Sequence, residues 1–307
     1  MLNTSIKTMV AIGALVSIAG CKSTINSFVE DEIGKRVNET AGDRLFLVHG
    51  ETTLDGSVQT ASVSTDENGF VTKGATGSAQ DGSVTLESNL GSNEGLIFKS
   101  GGRTTSLREE DGDDIEYDGG RRLTIAGISK NKRTRAYLGN EIALDFDHQS
   151  YGMWVTGIGT SNGRVSVGSF GHRTASADMP TNGAATYRGN SVGMVISPGG
   201  HDLVVESEVQ LSTTDFSDLT IVSGNSTARH MEGSAPWGAN DYNFAGTGTI
   251  SGNGFTANLT GTGAKSAGAT GSASGHFYGD DASEVGGTFD LNGSMTYTGA
   301  FGAERKN

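Results

Sequence analysis

Gly275-His276-Phe277-Tyr278-Gly279-Asp280-Asp281-Ala282-Ser283-Glu284-Val285-Gly286-Gly287-Thr288-Phe289 is the stretch that decides the fold. Neighbouring side chains of a β-strand leave on opposite faces, so Phe277 and Tyr278 cannot be buried by the same layer. One fills a core and the other covers the outside of the sheet around it. Asp281 and Glu284 have capping-box spacing, which predicts a single helical turn between two strands. Gly286 and Gly287 permit the close approach or sharp bend that small barrels need at their corners. The second strand then runs on through Thr288 and Phe289.

The same grammar extends outward from this stretch. From Leu45 onward, short alternating runs recur, among them Val58–Val63, Val84–Glu87, Leu123–Ala126, Leu203–Val209, Phe255–Leu259 and Met295–Thr298. Asn-Gly dipeptides begin at 68, 162, 182, 253 and 292, and Asp-Gly at 55, 81, 111 and 118. Both pairs accept the positive φ of two-residue hairpin turns, so each is expected to be a turn. No stretch from 45 to 307 has the spacing of a long amphipathic helix. Glycine is abundant at 48 residues while proline is nearly absent at 3, which favours tight turns and crowded strands over disorder. The expectation is an all-β chain of antiparallel sheets, closed as a barrel or stacked as a sandwich. Met179-Pro180-Thr181-Asn182-Gly183 marks a seam, because charge is dense before it and sparse after it.

The chain opens with one cation at Lys7, an apolar run from Thr8 to Ala19, and the small-residue finish Ile18-Ala19-Gly20-Cys21. This is the pattern of a secretory signal peptide, with a middle too short to span a bilayer. The order Ile-Ala-Gly-Cys resembles the bacterial lipobox, in which the cysteine is acylated and becomes the new N-terminus. Cys21 is the only cysteine, so no internal disulfide competes for it. Two or three acyl chains, palmitate among them, would anchor the mature protein stably. Lys22 in place of an aspartate favours the outer membrane, by the same resemblance. Ile25, Phe28, Val29, Ile33 and Val37 recur at helical spacing, so 21–44 is a lipid-proximal tether or a short helix.

A net charge of −13 repels phosphate backbones and argues against nucleic-acid binding. A membrane pore is also disfavoured, since its strands need about 9–11 residues with an apolar outer face. The alternating runs are mostly shorter, with serine, threonine and glycine outward. Gly189-Asn190-Ser191-Val192-Gly193 fits the serine-hydrolase pattern, but Met194–Pro198 after it reads as strand and loop, not helix. Gly261-Thr262-Gly263-Ala264-Lys265-Ser266 lacks the spacing of a phosphate loop. No two of His49, His148, His172, His201, His230 and His276 have metal-ligand spacing, so no metal site is expected. The acidic run from Glu109 and the basic run Lys130–Arg135 read as solvated loops. No catalytic residue emerges, and the expectation is a non-enzyme.

The 275–289 stretch also resembles the barrel signature of the transferrin-binding protein B family. Phe277, Tyr278, Gly279, Glu284, Gly286, Gly287 and Phe289 carry that likeness. Gly299–Arg305 looks like the closing strand of the same barrel and Met179–Gly189 like its opening strand, while Tyr151-Gly152-Met153-Trp154 is similar to a run that precedes it. The resemblance implies a lipoprotein signal peptide at 1–20, a handle-like antiparallel β domain at 45–180 and an eight-stranded antiparallel barrel at 181–307. It further implies a non-catalytic outer-membrane surface lipoprotein that binds a host protein or an iron or haem source for nutrient acquisition. The alternative is an adhesion or immune-evasion module that binds a host regulatory protein. Implied partners are an outer-membrane transporter and a surface-lipoprotein translocator. No resident cofactor is expected, although some relatives bind haem and a histidine axial ligand stays open. The ligand-binding residues are not identified.

Overall fold

A computed structural model describes residues 50–65, 71–88, 94–117, 125–139, 146–196, 202–231, 236–238, 240–293 and 295–306. The signal peptide, Cys21 and the 21–44 tether lie outside the described residues. The chain is all-β. Its N-terminal sheet holds β1 (Gly50–Thr65), β2 (Val71–Thr76), β3 (Gln80–Ser88), β4 (Gly95–Ser100), β5 (Arg103–Arg108), β6 (Asp114–Tyr117), β7 (Ile125–Ile128), β8 (Thr134–Gly139), β9 (Gln149–Thr156) and β10 (Gly163–Gly171). A second sheet holds β11 (Ala185–Ile196), β12 (Asp202–Thr213), β13 (Asp218–His230), β14 (Phe244–Ser251), β15 (Gly254–Gly261), β16 (Thr270–Tyr278), β17 (Glu284–Asn292) and β18 (Thr296–Lys306).

The N-terminal sheet has the order β5-β4-β3-β1-β10-β9-β8-β7-β6, with β2 added beside β1. Every step along that path is antiparallel, so its two ends, β5 and β6, run in the same direction. They are also consecutive in sequence, separated by a 3-10 turn at Glu109–Asp111 that ends on left-handed Gly112 (φ 85°). Residues 103–117 therefore act as one long strand broken by a turn. Its first half pairs with β4 and its second with β7, which nearly closes the sheet into a barrel. Leu107 of β5 and Ile115 of β6 share one buried cluster with Leu96 and Ile125. At its centre Phe98 stacks on Trp154, ring centroids 4.5 Å apart.

The second sheet is a closed meander of eight strands, β11 to β18, with β18 returning to β11. Its inward positions fill it: Phe277 lies edge-on to Tyr187 (5.8 Å), and Phe289 packs on Phe244 (4.7 Å) and Tyr297 (4.9 Å). The interior of the barrel is packed with its own side chains.

Two expectations are corrected here. The barrel strands are longer than the alternating runs suggested, at 12 residues for β11 and β12 and 13 for β13. Length thus does not argue against a membrane barrel; the outer faces do, with exposed Thr220, Thr247, Thr249, Thr256 and Asn258 where lipid would need apolar groups. Several dipeptides read as turns are also placed differently. Asp55-Gly56 and Asp81-Gly82 lie inside paired strands, with Gly56 opposite Gly82. Gly56 is required there because a Cβ would stand 2.7 Å from the Phe170 ring. In the β14–β15 hairpin the turn residues are Gly252 and Asn253, one position earlier than the Asn-Gly pair, with Gly252 taking the positive φ (59°).

The barrels lie side by side, with β9 and β10 against β17 and β18. A buried cluster crosses the boundary, joining Tyr151, Met153 and Val165 to Val192, Met194 and Ala300. Residues 172–174, leaving β10, run as a short strap along the end of β16. Gly279 N–H donates to His172 O (2.9 Å), Thr174 N–H to Phe277 O (2.9 Å), and Asn253 Nδ2 to Thr174 O (2.7 Å).

Candidate functional site

The 275–289 motif lies at the boundary between the two barrels. Phe277 and Phe289 point into the second barrel, both within 2% of full burial. Tyr278, on the opposite face of β16, shares a hydrogen bond with Ser169 Oγ of β10 at 2.8 Å. Gly279 holds φ 72° and ψ −177°, a conformation only glycine adopts readily. A Cβ on it would also lie 2.3 Å from the His148 ring.

Glu284 corrects the capping-box reading. The 3-10 turn Asp280–Ala282 exists but has no side-chain cap, and Asp281 takes φ 52° inside it. Glu284 instead turns to the N-terminal sheet, where its Oε1 accepts the backbone N–H groups of Asp147 (2.6 Å) and His148 (3.1 Å). Those donors precede β9 and would otherwise be unpaired in the boundary. Burial pushes the Glu284 carboxyl up to about 8, against the lowering pull of the two N–H groups.

Gly286 and Gly287 make different approaches. A Cβ on Gly287 would stand 2.4 Å from Ser274 O inside the second barrel, whereas one on Gly286 would stand 2.2 Å from Gln149 Oε1 of the other sheet. Gln149 is fully buried and its Nε2 donates to Val285 O (3.1 Å) and Ala303 O (3.0 Å). Gly302, paired with Gly286, admits the same side chain and the Tyr151 and Phe146 rings. Gln149, Ser169 and Gly302 were not apparent in the sequence; the one available signal is a glutamine ahead of the apolar Tyr151–Trp154 run. The motif thus fastens two barrels together, with Phe277, Tyr278, Glu284 and Phe289 all buried.

The decoy motifs are accounted for by structure. Ser191 is buried mid-strand and hydrogen-bonded to Ser207 Oγ at 3.0 Å. Lys265 pairs with Asp241 (3.3 Å) and lies over the Tyr242 ring (5.7 Å). Among the described residues no group of histidine, cysteine and carboxylate side chains could hold a metal. No described helix is long and apolar enough to cross a membrane. The charged runs meet: Asp113 Oδ1 accepts the Lys130 N–H at 2.8 Å, while Asp114–Tyr117 and Thr134–Gly139 are strands and not loops.

Exposed turns gather at one end of the N-terminal sheet. Gly163 pairs with Val63 and Thr134 with Thr156, so turns 129–133 and 157–162 sit at the end of the N-terminal sheet away from Gly50. Arg135 donates to Met231 O, which brings the end of β13 to the same side. There Arg229 pairs with Glu206 (3.2 Å) and lies over the Tyr137 ring of β8 (4.9 Å). His230 packs on Trp237 with ring centroids 4.8 Å apart. Lys130, Lys132 and Arg133 are on the neighbouring turn, and all three are exposed.

Residues 179–305 match the family model of the C-lobe and N-lobe β barrels of Tf-binding protein B. The C-terminal barrel is similar to those lobes. Solved structures similar to this chain include a transferrin-binding protein B point mutant from Haemophilus parasuis Hp5, at 13% identity and TM-score 0.45 over 85% of this chain and 77% of that one. Another is a transferrin-binding protein B point mutant from Actinobacillus pleuropneumoniae H49, at 16% identity and TM-score 0.45 over 82% of this chain and 99% of that one. The N-lobe domain of lactoferrin-binding protein B of Moraxella bovis is similar at 14% identity and TM-score 0.38, over 63% of this chain and 96% of that one. No curated protein sequence matches.

Proposed function

We propose that this chain is a lipid-anchored surface protein of the outer membrane that captures a host iron-carrier protein for nutrient acquisition. The match of residues 179–305 to the Tf-binding protein B barrels carries the reading. Cys21 is the acylated residue, and residues 22–49 connect it to Gly50. The end bearing turns 129–133 and 157–162 then faces away from the membrane and meets the partner. The protein has domains at 45–180 and 181–307, and it needs no bound cofactor to act.

The cations on 129–133 stand out in a chain of net charge −13. They favour a partner that presents acidic groups, since exposed charge accelerates encounter more than it tightens the complex. An outer-membrane transporter receives the cargo, and a surface-lipoprotein translocator exports the chain. Pull-down from host serum with the purified mature chain, followed by an absorbance scan for haem, tests the reading. Recovery of transferrin or lactoferrin supports it. Recovery of a complement regulator alone replaces nutrient capture with immune evasion. Protease treatment of intact cells tests display, and protection until lysis would contradict it.

A further inference from the structure

We propose that the boundary between the two barrels is a proton-sensitive latch, closed while the Glu284 carboxyl holds a proton and loosened when that proton leaves. Glu284 is 2% exposed. Its Oε1 accepts two N–H groups from the segment entering β9, and its Oε2 is buried with no hydrogen-bond partner. A neutral carboxyl tolerates that placement, but a carboxylate with one bare buried oxygen does not, because a buried charge must be paired to be stable.

The groups around it provide no such pairing. The segment before β9 presents Asp147 and His148. Glu304 of β18 and Tyr278 of β16 both stand in register with Glu284. The strap carries Arg173, bridged to Tyr278, and the turn ahead of β17 carries Asp280 and Asp281, with Arg305 Nη1 donating to Asp281 O at 3.4 Å. Among the described residues no salt bridge reaches Glu284. The charges that act on it most directly, Asp147 and Glu304, are both negative and oppose ionisation.

The direction of the effect is set by the raised value. An unfolded or undocked Glu284 ionises near 4.5, whereas the docked one holds its proton to about 8. Between those values the docked state binds more protons, so docking is strongest below about 4.5 and weakens as pH rises through about 8. The segment released first is the pair of amides at Asp147 and His148, since Glu284 is their acceptor.

Hydrogen exchange on the full chain tests this, following those two amides after correction for intrinsic rates. Their opening constant is expected to rise by up to about tenfold per pH unit between about 4.5 and about 8. In Glu284→Gln, which keeps the acceptor oxygen but cannot ionise, the same constant should be flat over that range. A matching pH slope in the variant would overturn the proposal. The carboxyl 13C resonance of Glu284 in the unaltered chain provides a check that needs no variant. A midpoint well above the usual glutamate range supports the latch, and one near 4.5 refutes it.

Discussion

Gly286 pairs with Gly302 across β17 and β18, and the hollow over these two glycines holds the side-chain amide of Gln149 from the other barrel. The contact surface is thus made by removing side chains from one barrel and inserting a polar one from its neighbour. Both carbonyls that Gln149 reaches belong to the closing strands of the second barrel, so docking and barrel closure share hydrogen bonds. The strap at 172–174 adds backbone pairing at the same end. Together these contacts join the two barrels along a buried polar seam.

Filling the hollow should separate the barrels without unfolding either. Gly286→Ala places a Cβ 2.2 Å from Gln149 Oε1 and 3.0 Å from Phe301 O. Overpacking of this kind costs about 1–3 kcal/mol. Urea denaturation should show that loss while near-ultraviolet signals of the second barrel persist in the first transition.

Removing the inserted amide leaves acceptors behind. Gln149→Ala strips the side-chain donor from Val285 O and Ala303 O, both in a buried region. Both carbonyls keep their β17–β18 pairing, so each lost side-chain hydrogen bond costs about 0.5–1.5 kcal/mol. The expected result is a lower midpoint of unfolding, with faster exchange of amides in 172–174.

The N-terminal sheet has its own centre. Trp154 stacks on Phe98 and packs near Phe170. Trp154→Ala should cost about 3–5 kcal/mol, as large aromatic truncations in cores do. Calorimetry should find the N-terminal sheet melting first while the second barrel keeps its own transition.

One surface pair gives an acid-dependent contribution. Arg108 donates to both Glu87 oxygens at 2.7 Å, and this fork holds the Glu87 carboxyl below its usual value of 4.5. A lowered folded value means the contribution is present above about 4.5 and disappears as pH falls through the lowered value. Glu87→Gln should therefore destabilise by about 0.3–1 kcal/mol at neutral pH and by nothing in strong acid. Thermal melts of the two proteins across that range should converge at the acid end.

Much of the barrel was legible because alternation fixes which side chains face inward. Phe277, Phe289 and Tyr278 follow from the two-residue period of a strand alone. The closure of the N-terminal sheet was not legible, since it depends on 103–117 acting as one strand across a 3-10 turn. That continuity is a matter of direction and register, which composition does not encode. Glu284 misled for a related reason: its spacing from Asp281 is a local signal, but its partners lie in a segment more than a hundred residues away. Gly286 announced a close approach without saying what approached. Asp55-Gly56 shows the converse, where a turn-forming pair is held straight because Phe170 fills the space above it.

The most direct test of the account is the binding of the mature chain to immobilised host transferrin and lactoferrin, with a variant carrying Lys130→Glu, Lys132→Glu and Arg133→Glu alongside. Saturable binding whose association rate falls about tenfold or more in the variant, and falls with salt in the unaltered chain, is the predicted result. A folded chain that binds neither protein, or binds them equally well after charge reversal, would contradict the assignment of the far end as the capturing surface.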